Sequence, residues 1–367
     1  MPSVRAQVRG GNPSLSSSGG RARVLVVGPG AVGSFLGGTL AAAGHDVTLL
    51  GRRPVEDSDA TRLVVEGPDG SRTVPVHRVR DPAAAAAPDL ILLATRIFDV
   101  DAALVAAARW PGVPLMTAQN GIGAEEAART ARSSPLLAGS LTTAVEPVPG
   151  GVRRLRAGGM GIAVVPGEGA AAAGALAASL AESWASAGLP TRVYPSAAAM
   201  KWSKLLANIV GNATSAILDM SPGEVYEDRR TFHIERRQIH EAVAVMRALG
   251  LQPVTLPGAH VQALLWGLAL PEVVGRPVVA RAIAGARGGK SPSLRLRVTG
   301  GGSGPTESRW LNGAVARTGA EAGVAVPVNA CLASLVDEVA ADTGRAAWFA
   351  GRPDRLEEAV AAWRTAT

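Results

Sequence analysis

The chain of 367 residues holds one cysteine, Cys331, and three lysines, Lys201, Lys204 and Lys290. A single cysteine excludes an intrachain disulfide, a zinc site built on cysteines and a CxxC redox pair. It fits a reducing cytoplasm. The histidines, His45, His77, His233, His240 and His260, lack metal-ligand spacing such as HxxxH with an acidic partner, so no metal is implied. Also missing is any run of about 20 strongly apolar residues; the best stretch, 263–275, is short and interrupted by Pro271 and Glu272, so no membrane span is predicted. Residues 1–20 carry Ser, Gly and Arg without the apolar run of about 7–15 residues that a secretory signal needs. They read as a disordered leader.

The shortage of lysine is informative in itself. There are 37 Lys+Arg against 30 Asp+Glu, a net charge of +7, and 34 of the cations are arginine. They are spread along the chain in short clusters, with no basic block interleaved with aromatics, so neither nucleic acid nor a membrane is an expected partner. A guanidinium stays charged, whereas an ammonium can be tuned toward neutral pH. A lysine kept in an arginine-rich chain therefore draws attention as a proton carrier.

Hydrophobic residues make up 47% and charged ones 18%, ordinary globular proportions, and a length of ~150 residues per domain implies two to three domains. From Arg23 the pattern reads strand, glycine turn, helix, strand: apolar residues 24–27, a small-residue helix over 31–43 and a strand over 46–50. Further strands are predicted over 63–65, 73–79, 90–94, 113–117, 137–145, 161–165 and 191–194. Short apolar runs of this kind suit parallel strands buried on both faces. Turn residues Pro149-Gly150-Gly151 suggest an antiparallel pair between 140 and 165. After Pro195 helical periods take over, with a loop holding a short helix over 285–304.

Gly28-Pro29-Gly30-Ala31-Val32-Gly33 is a GxGxxG placed after a strand and opening a helix, the context that a dinucleotide-binding turn requires. An NAD-preferring site would carry Asp or Glu about 20 residues further on. Here the strand ends in Gly51-Arg52-Arg53, cations suited to a 2′-phosphate, so NADPH is the expected cofactor. The predicted fold class is α/β: a leader over 1–20, an N-terminal Rossmann-type doubly wound sheet binding NADP over 21–195, and an all-α substrate and catalytic domain over 196–367. In that second part, residues 200–215 read as one helix with Lys204, Asn208 and Asn212 at i+4 spacing on one face and Lys201 one turn before. Gln119-Asn120-Gly121-Ile122-Gly123 follows a predicted strand, where open α/β sheets bind ligands.

These segments resemble the ketopantoate reductase (2-dehydropantoate 2-reductase) family: the GxGxxG, the Asn-Gly-x-Gly turn at Asn120, the Lys-x3-Asn-x3-Asn helix, and Glu307 in the setting Thr306-Glu307-Ser308-Arg309-Trp310-Leu311-Asn312-Gly313. The later Gly323-Val324-Ala325-Val326-Pro327 matches the family's Gly-hydrophobic-Pro element, and the resemblance runs from about Arg23 into the C-terminal helices. It implies a cytoplasmic oxidoreductase that transfers hydride from NADPH to the ketone of a small 2-oxo acid, 2-dehydropantoate to pantoate in pantothenate biosynthesis. Lys204 would be the general acid and Glu307 its partner or a substrate contact, the two within reach of each other in a cleft. Asn120, Asn208 and Asn212 would hold the nicotinamide side and the substrate's polar groups, and Ser293 the substrate carboxylate. Gly28, Pro29, Gly30, Ala31, Val32, Gly33, Arg52, Arg53, Arg96 and Asn120 are the expected cofactor contacts.

The chain departs from the family in carrying Arg96 where lysine is common, Pro222 where some members have asparagine, a longer stretch between Asn212 and Ser293, and added glycine over 299–305. These departures border the substrate side and keep two alternatives open. One is a family member acting on a different carbonyl or imine. The other is a non-catalytic NADP-binding redox sensor, which would not need Lys204 and Glu307 together. A homodimer is left open.

Overall fold

The structure of the protein, a computed structural model, describes residues 21–52, 61–68, 70–287, 293–299 and 305–366; the leader and Arg53 lie outside them. The strands are β1 (Arg23–Val27), β2 (Asp46–Leu50), β3 (Arg62–Gly67), β4 (Gly70–Pro75), β5 (His77–Val79), β6 (Leu90–Leu93), β7 (Leu115–Thr117), β8 (Leu136–Leu141), β9 (Ala144–Val148), β10 (Gly151–Arg156), β11 (Met160–Val164) and β12 (Thr191–Tyr194). They form an eight-stranded sheet, order β12-β11-β8-β7-β6-β1-β2-β5, and a four-stranded sheet, order β4-β3-β10-β9. In the larger sheet β5, β2, β1, β6, β7 and β8 are parallel, while β11 is antiparallel to β8. The turn at Pro149-Gly150-Gly151 does join an antiparallel pair, β9 and β10, but in the smaller sheet; the antiparallel pair in the larger sheet is β8 with β11.

Helices α1 (Ala31–Ala42), α2 (Val100–Ala107), α3 (Ala124–Ala131) and α4 (Ala170–Ser186) cover this half, and the apolar runs of β1 and β6 are buried between them. Each fully buried Leu or Val side chain contributes about 1.5–3 kcal/mol. Helix α1 is packed on both sides. A Cβ on Gly37 would stand 3.1 Å from Val26 of the larger sheet, and one on Gly38 would stand 2.7 Å from Val65 of the smaller. Buried Trp184 of α4 closes the layer by donating its indole N–H to the Leu36 carbonyl (3.2 Å).

From Ala197 on, the regular elements of the described residues are helices: α5 (Ala197–Ile209), α6 (Ala213–Leu218), α7 (Pro222–Glu227), α8 (Arg229–Ala248), α9 (Val261–Ala269), α10 (Glu272–Arg287), α11 (Ser293–Thr299), α12 (Asn312–Glu321), α13 (Pro327–Ala341), α14 (Thr343–Phe349) and α15 (Pro353–Ala366). Their shared core includes Phe232, Leu332, Val336 and Phe349. Cys331 is buried there, and loss of solvent pushes its thiol up to about 12. None of the described helices is long and apolar enough to cross a membrane.

Three expectations are corrected. The strand expected over 73–79 splits: Pro75 closes β4 in the small sheet, and β5 joins the large one. The strand expected over 137–145 also splits, because Thr142 turns the chain out of β8; its hydroxyl bonds to the Gly159 and Pro257 carbonyls, and β9 starts in the other sheet. The single helix expected over 200–215 breaks after Ile209. Gly211 takes φ +55°, and its N–H is drawn off by the carboxylate of Glu235 on α8 (2.7 Å), which also accepts from Thr214 (2.6 Å) and Tyr226 (2.7 Å). Glu235 is fully buried, and that desolvation raises its pKa above the usual carboxylate range.

Candidate active site

The glycine turn leaves β1 with Gly28 at φ +94°, and a Cβ there would collide with the Thr95 backbone nitrogen at 2.7 Å. Gly33 faces the Gly28 carbonyl so closely that a Cβ would stand 2.2 Å from it. Above Gly30, by contrast, a Cβ would meet nothing within 4 Å, and no side chain caps α1. The first-turn amides of Ala31, Val32 and Gly33, beside Pro29, thus open onto free space at a positive helix end, an arrangement that fits a pyrophosphate. At the end of β2, Arg52 stands 89% exposed, with its guanidinium 3.6 Å from Asp99.

Two strand-end segments, the turn that carries Glu307, helix α5 and the start of α11 supply the other candidate residues. Arg96, after β6, pairs with Glu307 at 3.2 Å, joining a 64% exposed cation to a 10% exposed carboxylate. Asn120, after β7, accepts from the side-chain amide of Asn208 on α5 (3.3 Å). Lys204 lies one turn before Asn208 on α5 and is half-buried. Asn212 is displaced from that helix face by the break at Gly211; it is buried, and its side-chain oxygen accepts the Leu294 N–H at 3.3 Å, which ties it to the start of α11. Ser293 opens α11, and its side chain lies outside the description. The structure thus joins Arg96 to Glu307 and Asn120 to Asn208, and sets Asn212 against α11. The partner it gives Glu307 is Arg96.

The Asn-Gly-x-Gly turn owes its glycines to the opposite half of the molecule. Gly121 has φ +86°, a Cβ on it would stand 2.6 Å from the Trp310 carbonyl, and Ile122 donates its N–H to that same oxygen at 3.0 Å. The Trp310 ring also packs against Phe98, with centroids 6.3 Å apart. Gly121→Ala is therefore expected to cost at least about 1–2 kcal/mol through the left-handed backbone alone, before any displacement of Trp310. Denaturant unfolding checks this, and an unchanged midpoint would show that the turn is not pinned.

Upstream of Trp310, Glu307 is itself held. Thr306 and Ser308 on either side both bond to Asp337 Oδ1 of α13, at 2.5 and 2.7 Å. Reading the sequence missed this clamp, as it missed Glu125, Trp310 and Glu235; in each case the partner is distant in the chain, and no local spacing announces it.

The family model described as Ketopantoate reductase PanE/ApbA matches residues 24–166, and its C-terminal counterpart matches 197–340. The chain belongs to the ketopantoate reductase family. A 2-dehydropantoate 2-reductase of Halobacterium salinarum is 31% identical over 325 residues, 86% of this chain and 97% of that one. Among solved structures, a PanE/ApbA family ketopantoate reductase from Ralstonia eutropha JMP134 superposes with TM-score 0.71 at 28% identity, covering 87% of this chain and 98% of the other. D-mandelate dehydrogenase with NADH and anilino(oxo)acetate shares the fold, with TM-score 0.69 at 19% identity and coverage of 87% and 98%. As a member of the ketopantoate reductase family, the chain is an NAD(P)-dependent oxidoreductase acting on CH–OH.

Proposed function

We propose that the chain reduces the ketone of a small 2-oxo acid with NADPH in the cytoplasm, with 2-dehydropantoate as its first-choice substrate and pantoate as product. The observation that carries this reading is the convergence of Arg96, Glu307, Asn120 and Asn208 at the mouth of the glycine-turn crevice, one turn from Lys204. NADPH, when bound, supplies the hydride. Lys204 donates a proton to the carbonyl oxygen as negative charge develops there. Asn120 and Asn208 orient the polar groups around the reacting carbon. Arg96, read in the sequence as a cofactor contact, is assigned here to the substrate carboxylate instead, being the most exposed cation of the group; Asn212 and Ser293 complete the carboxylate side. Glu307 holds the positive groups in place, with Arg96 as its present partner and Lys204 as the proposed one.

Purified protein and NADPH are tested against a panel of 2-oxo acids with 2-dehydropantoate among them. Fastest oxidation with 2-dehydropantoate is expected, and a flat response across the panel overturns the reading. A second reading, a bulkier 2-oxo acid, rests on the longer stretch between Asn212 and Ser293 and the added glycine over 299–305, departures from the family that border the substrate side.

Arg52 is assigned to the 2′-phosphate of NADPH. A charge-assisted bond of this kind is worth about 1.5–3 kcal/mol, one to two decades in affinity. Arg52 is 89% exposed, and solvent screening puts the expected loss in Arg52→Ala near the lower end, about tenfold. Titrations of NADPH and NADH followed by fluorescence measure it. Equal changes for both nucleotides would remove Arg52 from the phosphate site.

A further inference from the structure

Lys201 has no part in the chemistry proposed above, yet it is the more deeply buried of the two lysines on α5. Its ammonium lies 2.9 Å from Glu125 Oε1 and donates to the Gln119 carbonyl at 2.6 Å. The same Glu125 oxygen accepts from Thr117 at 2.7 Å. Gln119 immediately precedes Asn120, and Glu125 lies in the first turn of α3 just past Gly123. One cation on α5 thus grips both flanks of the Asn120–Gly123 turn, while Asn208, two turns further along α5, bonds the side chain of Asn120 itself.

We propose that Lys201 is a positioning residue: with Glu125 as its counter-charge, it fixes the Asn120 turn relative to Lys204, so that the strand-end and helix-borne parts of the site keep one spacing. This rests on the reductase reading above. The chemistry suits lysine here. A buried ammonium needs acceptors close on several sides, and its compact head meets a carbonyl and a carboxylate at once, whereas arginine's planar fork demands more room. The pair sits where a small displacement matters, since a shift of about 1 Å in a reacting geometry costs on the order of 10²-fold in rate.

Lys201→Met alone strands a buried carboxylate and destabilises the fold, so the main variant is Lys201→Met with Glu125→Gln, which removes both charges. Glu125→Asp, which keeps the charge but shortens its reach, is a milder second variant expected to move every readout the same way by less. Three results are expected in the double variant: amide hydrogen exchange over residues 118–124 at least about tenfold faster, kcat with 2-dehydropantoate about 10- to 100-fold lower, and NADPH affinity within about twofold of wild type because the Gly28–Gly33 turn is untouched. The isotope effect on kcat with NADPH deuterated at C4 should rise, as hydride transfer becomes the slow step. Unchanged exchange in 118–124 overturns the proposal, as does a variant with wild-type kcat and isotope effect. Wild-type protein inert toward every 2-oxo acid would overturn the reductase reading instead, and the exchange measurement would still decide the role of Lys201.

Discussion

Lys204→Ala lowers kcat for 2-oxo acid reduction by about 10²-fold or more, the usual worth of a positioned general acid, while NADPH continues to bind. Hydride addition leaves an alkoxide, and the group that protonates it must sit over the carbonyl oxygen and carry a proton it can release. Lys204 is half-buried on α5, one turn before the Asn208 that contacts Asn120, and i+4 spacing puts the two residues on one face of the helix. Lys204→Arg separates charge from proton transfer: guanidinium keeps the positive charge but does not give up its proton near neutral pH. Turnover should stay low in that variant too. Stopped-flow measurement of NADPH oxidation reads both, and near-normal single-turnover rates in either would take Lys204 out of the proton-transfer step.

Glu307→Gln is the second large effect expected, a fall in kcat/KM of about 10- to 100-fold, equivalent to about 1.5–3 kcal/mol for a charge-assisted contact. Glu307 is buried, it pairs with Arg96 at 3.2 Å, and the bonds from Thr306 and Ser308 to Asp337 leave its turn little freedom. The amide keeps the shape and loses the charge. Arg96→Ala is the useful companion: it should raise KM for the 2-oxo acid more than it lowers kcat, because Arg96 is assigned to substrate binding. If the two substitutions simply add, the Arg96–Glu307 pair does not work as a unit in the reaction.

What could be read from the sequence was what depends on near neighbours. The strand-turn-helix at Gly28–Gly33 is written in consecutive residues, and the spacing of Lys204 and Asn208 needs only one helix turn. Parallel strands showed as unbroken apolar runs. The four-stranded sheet did not show, because its pairing of β3 with β10 sets Val64 opposite Gly151, far apart in the chain. The end of α5 was hidden for the same reason: Gly211 alone is tolerable in a helix, and the partner that pulls its N–H away is Glu235 on α8. Lysine scarcity drew attention to α5, yet it could not show that Lys201 is a buried counter-ion, since that rests on Glu125 and Gln119.

Helix α1, pressed between two sheets at Gly37 and Gly38, bears on the order of events in a catalytic cycle. Its body cannot shift without moving Val26 on one side and Val65 on the other, and at its amino end Gly28 and Gly33 are closed in by Thr95 and by the Gly28 carbonyl, so the dinucleotide seat is held in one form and little ordering entropy is lost when it fills. The opposite wall is assembled from separate pieces: the Glu307 turn, α5 and the start of α11. A rigid seat facing a composite wall favours an ordered kinetic scheme, in which the nucleotide enters first and leaves last and the oxo acid joins a complex whose floor is already laid.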